Sequence, residues 1–314
     1  MALAYVVSGW NVDDWVEGMR KLAPDLDLRV WPDKLGKLDD ITYALAWRPA
    51  PNVLKSFKNL KAIFSLGAGV DAILADPTLP DVPIVRVVDP DMTMRMSEYV
   101  CLHVLMHHRQ QRKLDRLQAQ RVWGPEPQWA ASAIRVGIMG LGELGRDSAR
   151  KLSHLGFKVS GWSNSRHSIP GVESYAGKAE LDAFLKTTDI LVCLLPHTAD
   201  TEGILNRDLF RKLARDSRLG APVLINAGRG KLQVEKDIVA ALDAGELGGV
   251  TLDVFETEPL PADSPLWSHP KVTVTPHIAA DSEPDVISTY ILNQMRRHDA
   301  GKPFENLVDK RRGY

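Results

Sequence analysis

The sequence predicts an α/β protein with parallel sheets and two domains. Three observations carry that prediction. Strand-like apolar runs alternate with helical stretches almost throughout the 314 residues, the pattern that βαβ connections impose. A long stretch free of glycine and proline separates two such series. The second series opens on a glycine-punctuated turn between a strand and an amphipathic helix.

In chain order, the first series gives strands at "LAYVVS", "LDLRVW", "ITYALAW", "LKAIFSL" and "IVRVV". Each is rich in β-branched or large apolar side chains. Between them "VDDWVEGMRKLA" and "PNVLKSF" read as short helices or turns. From Ser97, "SEYVCLHVLMHHRQQRKLDRLQAQR" is rich in helix formers and predicts one long helix, which "GPEP" breaks. The second series has strands at "IRVGIM", "KVSGW", "DILVCLL", "PVLINA", "GGVTLDVF" and "KVTVTP". "EPDVISTYILNQMRRHDAG" predicts a last long helix that stops at Gly301. There is no solenoid-period repeat and no low-complexity segment.

Composition excludes several classes. The chain is 44% hydrophobic and 25% charged with a formal net charge of −1, so nothing points to a nucleic acid or a membrane surface as partner. No apolar run is long enough to span a bilayer. The opening "MALAYVVSGWNVDDW" lacks the basic region of a signal peptide, so a cytoplasmic protein is expected. Cys101 and Cys193 sit far apart in apolar runs and read as buried thiols in a reducing compartment. No Cys/His spacing suggests zinc, and no metal is expected.

The glycine turn is the first chemical signal. "VGIMGLGELGRDSARKLSHLG" holds Gly140, Gly142 and Gly145 as G-x-G-x-x-G, after a strand and before a helix, with "KVSGW" completing a βαβ unit. Gly140 permits the tight turn, Gly142 lets backbone approach a pyrophosphate, and Gly145 lets helix and strand pack closely. The phosphates would rest on the N–H groups at the helix start, at Glu143, Leu144 and Gly145. The second strand then ends at Ser163, where a carboxylate would be expected to hold the ribose hydroxyls of NAD. "SNSR" stands there instead. A carboxylate would repel the 2′-phosphate of NADP. Ser163, Asn164 and Ser165 can hydrogen-bond that phosphate, and Arg166 can neutralise it. The reading is NADP, with NADPH preferred over NADH, against the plainer one of a polar loop.

The second signal lies at three strand ends, where open α/β sheets bind their ligands. "PVLINA" is followed by Arg229. "GGVTLDVF" carries Asp253 and is followed by Glu256 and Glu258. "KVTVTP" is followed by His277. An arginine fork can bind the carboxylate of a 2-oxo acid and polarise its carbonyl. A histidine can protonate the forming alkoxide, and a carboxylate can orient that histidine. Each residue alone reads as structural; their joint placement on one edge points to hydride transfer.

At "GIMGLGELGR", "LLPHTADTEGILN", "LINAGRG", "TLDVFETEPLP" and "VTVTPHIAA" the chain resembles the D-isomer-specific 2-hydroxyacid dehydrogenases. "FSLGAGVDAIL" and "SEYV" extend the resemblance to the first domain. "GWSNSRH", "SPLWSHP" and "VDKRRGY" are similar to the glyoxylate/hydroxypyruvate reductase A group within that family. The resemblance implies a Rossmann-type cofactor domain at 99–284 and a smaller flavodoxin-like substrate domain. The latter is discontinuous, built from 1–98 and 285–314, with a cleft that closes on substrate.

It also implies site residues. Arg229 would bind the substrate, His277 would be the acid/base and Glu258 its partner. Asp253 would lie by the nicotinamide carboxamide, and Leu195, Pro196 and Ala227 beside the cofactor. Backbone at Ala68, Gly69 and Val70 would hold the substrate carboxylate. Trp47 would line the pocket, or else is ordinary core packing. Arg95 is a weaker candidate for the site and reads more readily as a surface charge. The family dimerises through the long helix and the loop after it, which implies a homodimer with "RVWGPEPQW" as a contact segment and Trp123 reaching toward a partner. The implied activity is NADPH-dependent reduction of glyoxylate to glycolate and hydroxypyruvate to glycerate. A reductase of another 2-oxo acid and a nucleotide-sensing regulator on the same scaffold are the alternatives; formate or phosphite oxidation suits the serine tip less well.

Overall fold

Strands that are apolar at nearly every position belong in parallel sheets covered on both faces. A computed structural model of the chain, describing residues 2–281 and 283–314, has two such sheets. They belong to two units, Met1–Met92 with Ser282–Tyr314, and Thr93–Asp281.

In the first unit β1 (Ala2–Val7), β2 (Asp27–Val30), β3 (Ile41–Trp47), β4 (Ala62–Ser65) and β5 (Ile84–Val85) pair in parallel in the order β2-β1-β3-β4-β5. This is the flavodoxin-like order, with its reversal between β1 and β3. All six residues of β1 are buried. The connections include α1 (Asp13–Leu22) and the single-turn α2 (Asp71–Leu74).

The long helix expected from Ser97 differs from the sequence reading at both ends. α3 (Pro90–His108) starts earlier because Asp89 caps it: its Oδ2 accepts the Met92 N–H at 2.9 Å, and Pro90 supplies a first helical position that needs no donor. The helix then breaks at Gln110, whose φ of 57° is left-handed, and resumes as α4 (Gln111–Ala119). Side chains tie the break to the following segment: Gln110 donates to Pro127 O at 2.8 Å and Arg109 Nε to Gln128 Oε1 at 2.7 Å.

The second unit continues with β6 (Arg135–Met139), α5 (Glu143–His154), β7 (Lys158–Ser163), β8 (Val172–Ala176), α6 (Gly177–Lys186), β9 (Ile190–Cys193), α7 (Arg207–Lys212), β10 (Val223–Asn226), α8 (Glu235–Asp243), β11 (Gly249–Leu252) and β12 (Val272–Val274). Its sheet is parallel throughout, in the order β8-β7-β6-β9-β10-β11-β12. That is the doubly wound dinucleotide order with one strand added at the far edge, and it reverses between β6 and β9. β8 is absent from the sequence reading; as a half-exposed edge strand, "VESYA" lacks a continuous apolar run.

α9 (Pro284–Asp299) returns the chain to the first unit, where it packs against α1. It ends as expected at Gly301. There φ is 73°, the Gly301 N–H reaches His298 O and the Lys302 N–H reaches Arg297 O, a Schellman stop. Among the described residues no helix is long and apolar enough to cross a membrane. Among them, too, no cluster of His, Cys, Asp or Glu is placed to hold a metal ion.

Candidate active site

The carboxyl edge of the seven-stranded sheet gathers the second unit's chemically notable residues. At the switch point Gly140 has φ 101°, and a Cβ there would stand 2.8 Å from Leu194 O. A Cβ at Gly145 would overlap the Gly140 carbonyl. Both glycines are therefore demanded by packing. Gly142 is different: a Cβ there would meet nothing within 4 Å. Nothing in the protein asks for that glycine, but a ligand lying against the backbone would. Gly142 is the N-cap of α5 with no side-chain cap, and its carbonyl accepts the Arg146 N–H. The N–H groups of Glu143, Leu144 and Gly145 thus precede the first helical bond. An uncapped helix start over open space fits a pyrophosphate.

Two other strand ends stand beside this turn. Leu194 N–H donates to Met139 O at 2.8 Å, and Leu195 lies 7% exposed. The Ala227 N–H bonds Cys193 O, and a Cβ at Gly228 would stand 2.9 Å from Leu195 O. Pro196 is fixed through its carbonyl, which accepts the Thr201 hydroxyl at 2.8 Å. Leu194 and Leu195 therefore stand beside the glycine turn, with Ala227 on the next strand end.

At the tip of β7, Ser163 Oγ donates to Ser165 O at 2.7 Å. Asn164 and Ser165 are exposed. Arg166 extends away along the next strand, its guanidinium bonding Ser174 O and Glu180 on α6. Glu180 is itself held, Oε2 accepting the Ala176 N–H at 2.7 Å. A fixed carboxylate thus holds the guanidinium against β8 and α6.

Farther along the same edge, Asn226, Leu252 and Val274 pair in register, so the chain leaves all three strands at one level. Asn226 is fully buried. Its Oδ1 accepts the Gly228 N–H at 3.0 Å, and its Nδ2 donates to Arg229 O at 3.1 Å and Gln233 Oε1 at 2.8 Å. Gln233 in turn donates to Val254 O at 2.9 Å. This amide pair shapes the loop that presents Arg229, which is half-buried and whose Nη1 donates to Gly228 O at 2.8 Å.

Asp253 is 1% exposed. Its Oδ1 accepts the Thr275 hydroxyl at 2.7 Å and the Ile278 N–H at 2.9 Å, and its Oδ2 accepts the Ala279 N–H at 3.0 Å. Because the Thr275 hydrogen goes to Asp253, Tyr99 of α3 donates to Thr275 Oγ1, 2.8 Å away. Asp253 is the anchor of the turn that carries His277, whose own φ is 58°. His277 Nδ1 lies 2.9 Å from Glu258 Oε2, and Glu258 Oε1 accepts the Phe255 N–H at 3.2 Å. Glu256 plays a different part, exchanging backbone bonds with Glu235: Glu235 N–H to Glu256 Oε1 at 2.7 Å and Glu256 N–H to Glu235 Oε1 at 2.8 Å. An ionised carboxylate only accepts, so Nδ1 carries a hydrogen and Nε2 is the ring nitrogen left to exchange a proton.

In the first unit Trp47 is half-buried at the carboxyl end of β3, with its ring against Gly67 and Arg48 6.0 Å from the ring centre. The buried Ser65 hydroxyl donates to Gly67 O at 2.8 Å and bonds Gly69 O at 3.0 Å. It shapes the loop in which Ala68 and Gly69 are half-exposed and Val70 is buried. Arg95 is half-buried in the first turns of α3. Sequence reasoning missed Asn226, Gln233, Thr275, Tyr99 and Glu180, each of which supports the site through a side-chain hydrogen bond.

Residues 101–279 match the family described as D-isomer specific 2-hydroxyacid dehydrogenase, NAD binding domain. Over its whole length the chain is 42% identical to the glyoxylate/hydroxypyruvate reductase A of Salmonella newport, covering all of that protein. Among solved structures, the NADPH-dependent glyoxylate/hydroxypyruvate reductase of Sinorhizobium meliloti, in complex with NADP and sulfate, is 45% identical with a TM-score of 0.95, each chain covered completely. A probable 2-hydroxyacid dehydrogenase of Rhizobium etli, in complex with NADP, HEPES and L(+)-tartaric acid, is 44% identical with a TM-score of 0.95, over 100% of this chain and 99% of that one.

Proposed function

The chain belongs to the D-isomer specific 2-hydroxyacid dehydrogenases, and on that premise we propose that it is an NADPH-dependent reductase of small 2-oxo acids, converting glyoxylate to glycolate and hydroxypyruvate to glycerate. When bound, NADPH supplies the hydride. The protein's part is to hold the acid, polarise its carbonyl and deliver one proton. Arg229 grips the carboxylate and draws on the carbonyl oxygen through its fork. His277 gives the Nε2 proton to that oxygen, while Glu258 fixes the ring. Asp253 acts through the backbone of Ile278 and Ala279, setting the turn that aims His277. The His277–Glu258 contact at 2.9 Å is the observation that carries this reading.

Residues 99–284 serve as the cofactor domain, and 1–98 with 285–314 as the substrate domain. There Ala68, Gly69 and Val70 offer backbone, and Trp47 a ring, to the substrate. Ser163, Asn164, Ser165 and Arg166 read the 2′-phosphate and make NADPH preferred over NADH. The enzyme works as a homodimer in the cytoplasm. A Trp123 that is 98% exposed, with Val122 51% exposed beside it, supports a partner over this segment, and unpaired Cys101 and Cys193 suit a reducing compartment.

The test is the loss of NADPH absorbance with purified enzyme and a panel of 2-oxo acids. Glyoxylate and hydroxypyruvate should give the highest kcat/KM. NADPH binding without oxidation on any 2-oxo acid would favour a nucleotide-sensing regulator, and faster turnover of a larger acid would move the substrate assignment.

A further inference from the structure

The turn that carries His277 has a backbone that needs support. The φ of His277 is 58°, in the left-handed region that is uncommon for any residue but glycine. Three N–H groups hold the turn in place. That of His277 bonds Thr275 O at 3.1 Å. Those of Ile278 and Ala279 go to the two oxygens of Asp253, at 2.9 and 3.0 Å. One carboxylate serves both only while its plane keeps a single orientation.

That orientation is set from outside the turn. The Thr275 hydroxyl gives its one hydrogen to Asp253 Oδ1 at 2.7 Å, and Tyr99 gives its own to Thr275 Oγ1 at 2.8 Å. Donation therefore runs one way, from Tyr99 through Thr275 to Asp253. The backbone beneath both acceptors is pinned to the sheet: the Thr275 N–H bonds Leu252 O at 3.0 Å, and the Asp253 N–H bonds Asn226 O at 3.0 Å. Tyr99 is 9% exposed within its own chain, with its ring centre 4.2 Å from that of His103. Burial pushes its phenol well above the usual range, so the hydroxyl stays a donor.

We propose that Tyr99 and Thr275 are positioning residues of the proton-transfer step: through Asp253 they fix the turn that aims His277 Nε2 at the substrate oxygen. The proposal rests on the reading of His277 as proton donor and adds two hydroxyls, neither of which carries the transferred proton. A packing role needs only the shapes of these side chains, which phenylalanine and valine keep. A positioning role needs the hydroxyls themselves. A misplacement of about 1 Å at a reacting group can cost on the order of 10²-fold in rate. Substrate and cofactor are gripped by other groups, so the loss falls on kcat and spares binding.

Steady-state kinetics of glyoxylate reduction on Tyr99→Phe, Thr275→Val, Thr275→Ser and the Tyr99→Phe/Thr275→Val pair tests the proposal, with NADPH binding followed by fluorescence. Thr275→Val should lower kcat by about tenfold or more, with KM for glyoxylate and NADPH affinity within about twofold of wild type. Tyr99→Phe, the milder change, should lower kcat by roughly threefold in the same way. Thr275→Ser keeps the hydroxyl and should restore most of the rate. Because Tyr99 acts through Thr275, the pair should be no slower than Thr275→Val alone. Unchanged kcat in Tyr99→Phe and Thr275→Val, beside an inactive His277→Ala, would overturn the positioning role and leave the proton donor standing. A serine variant as slow as the valine one, or a loss of NADPH binding that matches the loss of kcat, would reduce the two residues to packing. An active His277→Ala would overturn the proposal together with the reading on which it rests.

Discussion

The proposed catalytic residues and the proposed 2′-phosphate loop leave the same edge of one sheet, yet they are built differently. At the ends of β10 to β12 each functional group is held from several sides. Asn226 and Gln233 shape the Arg229 loop, Asp253 ties down two backbone N–H groups after His277, and Tyr99 reaches in from α3. Glu258 is 17% exposed and His277 33%. At the end of β7, Arg166 is 59% exposed and Glu180 37%, and the serine hydroxyl bonds only its own loop. A proton donor must be placed within a fraction of an ångström, so its supports are numerous and buried. A phosphate at the rim needs only a cation and a few donors. On the proposed reading, chemistry is built into the scaffold and cofactor choice is carried by an exposed loop.

The largest break in that contrast comes from the proton donor. His277→Ala should lower kcat by a factor on the order of 10²–10⁴, the scale of a general acid, while NADPH binding measured by fluorescence stays near wild type. Near wild-type turnover would take His277 out of the reaction. Arg229→Lys keeps the charge and loses the fork. It should lower kcat/KM for glyoxylate by more than about tenfold, roughly 1.4 kcal/mol. An equally active lysine variant would mean that a point charge suffices.

The smallest effect reports on the support beneath the catalytic edge. Burial pushes His107 down to about 4 from 6.5 and lowers His103 and His108 in the same sense. Between those two values the unfolded chain binds protons that the folded chain refuses, so stability is full above about pH 6.5 and falls as pH drops toward 4. Denaturant melts across that range should show a shallower decline in His107→Gln than in wild type. Equal slopes would assign the acid sensitivity to other groups.

The sequence carried the strong signals: continuous apolar strands, the glycine turn in its βαβ setting, and Arg229, Glu258 and His277 just past strand ends. What it hid is mostly long-range. Glu256 and Glu258 look equivalent in "ETEP", and only the fold pairs one with Glu235 and the other with His277. Glu180 meets Arg166 across a strand and a turn. The early start of α3 was readable in "DP" before the helical run, whereas the break at Gln110 depends on side-chain bonds to a segment seventeen and more residues away. β8 was missed because an exposed edge strand has no apolar signature.

The most direct test is whether cofactor choice can be reversed while the chemistry survives. Ser163→Asp with Arg166→Ala removes the cation, leaves Glu180 without it, and adds a carboxylate suited to free ribose hydroxyls. Loss of the arginine alone is a charge-assisted bond of roughly 1.5–3 kcal/mol, about one to two decades in NADPH affinity. Steady-state kinetics of glyoxylate reduction with both cofactors, on wild type and double variant, gives the answer. The account predicts that the NADPH/NADH ratio of kcat/KM inverts, while kcat of the variant with saturating NADH stays within about tenfold of wild type with NADPH. An unchanged ratio would place the 2′-phosphate elsewhere, and a collapse of kcat with both cofactors would show that loop and catalytic edge are not separable.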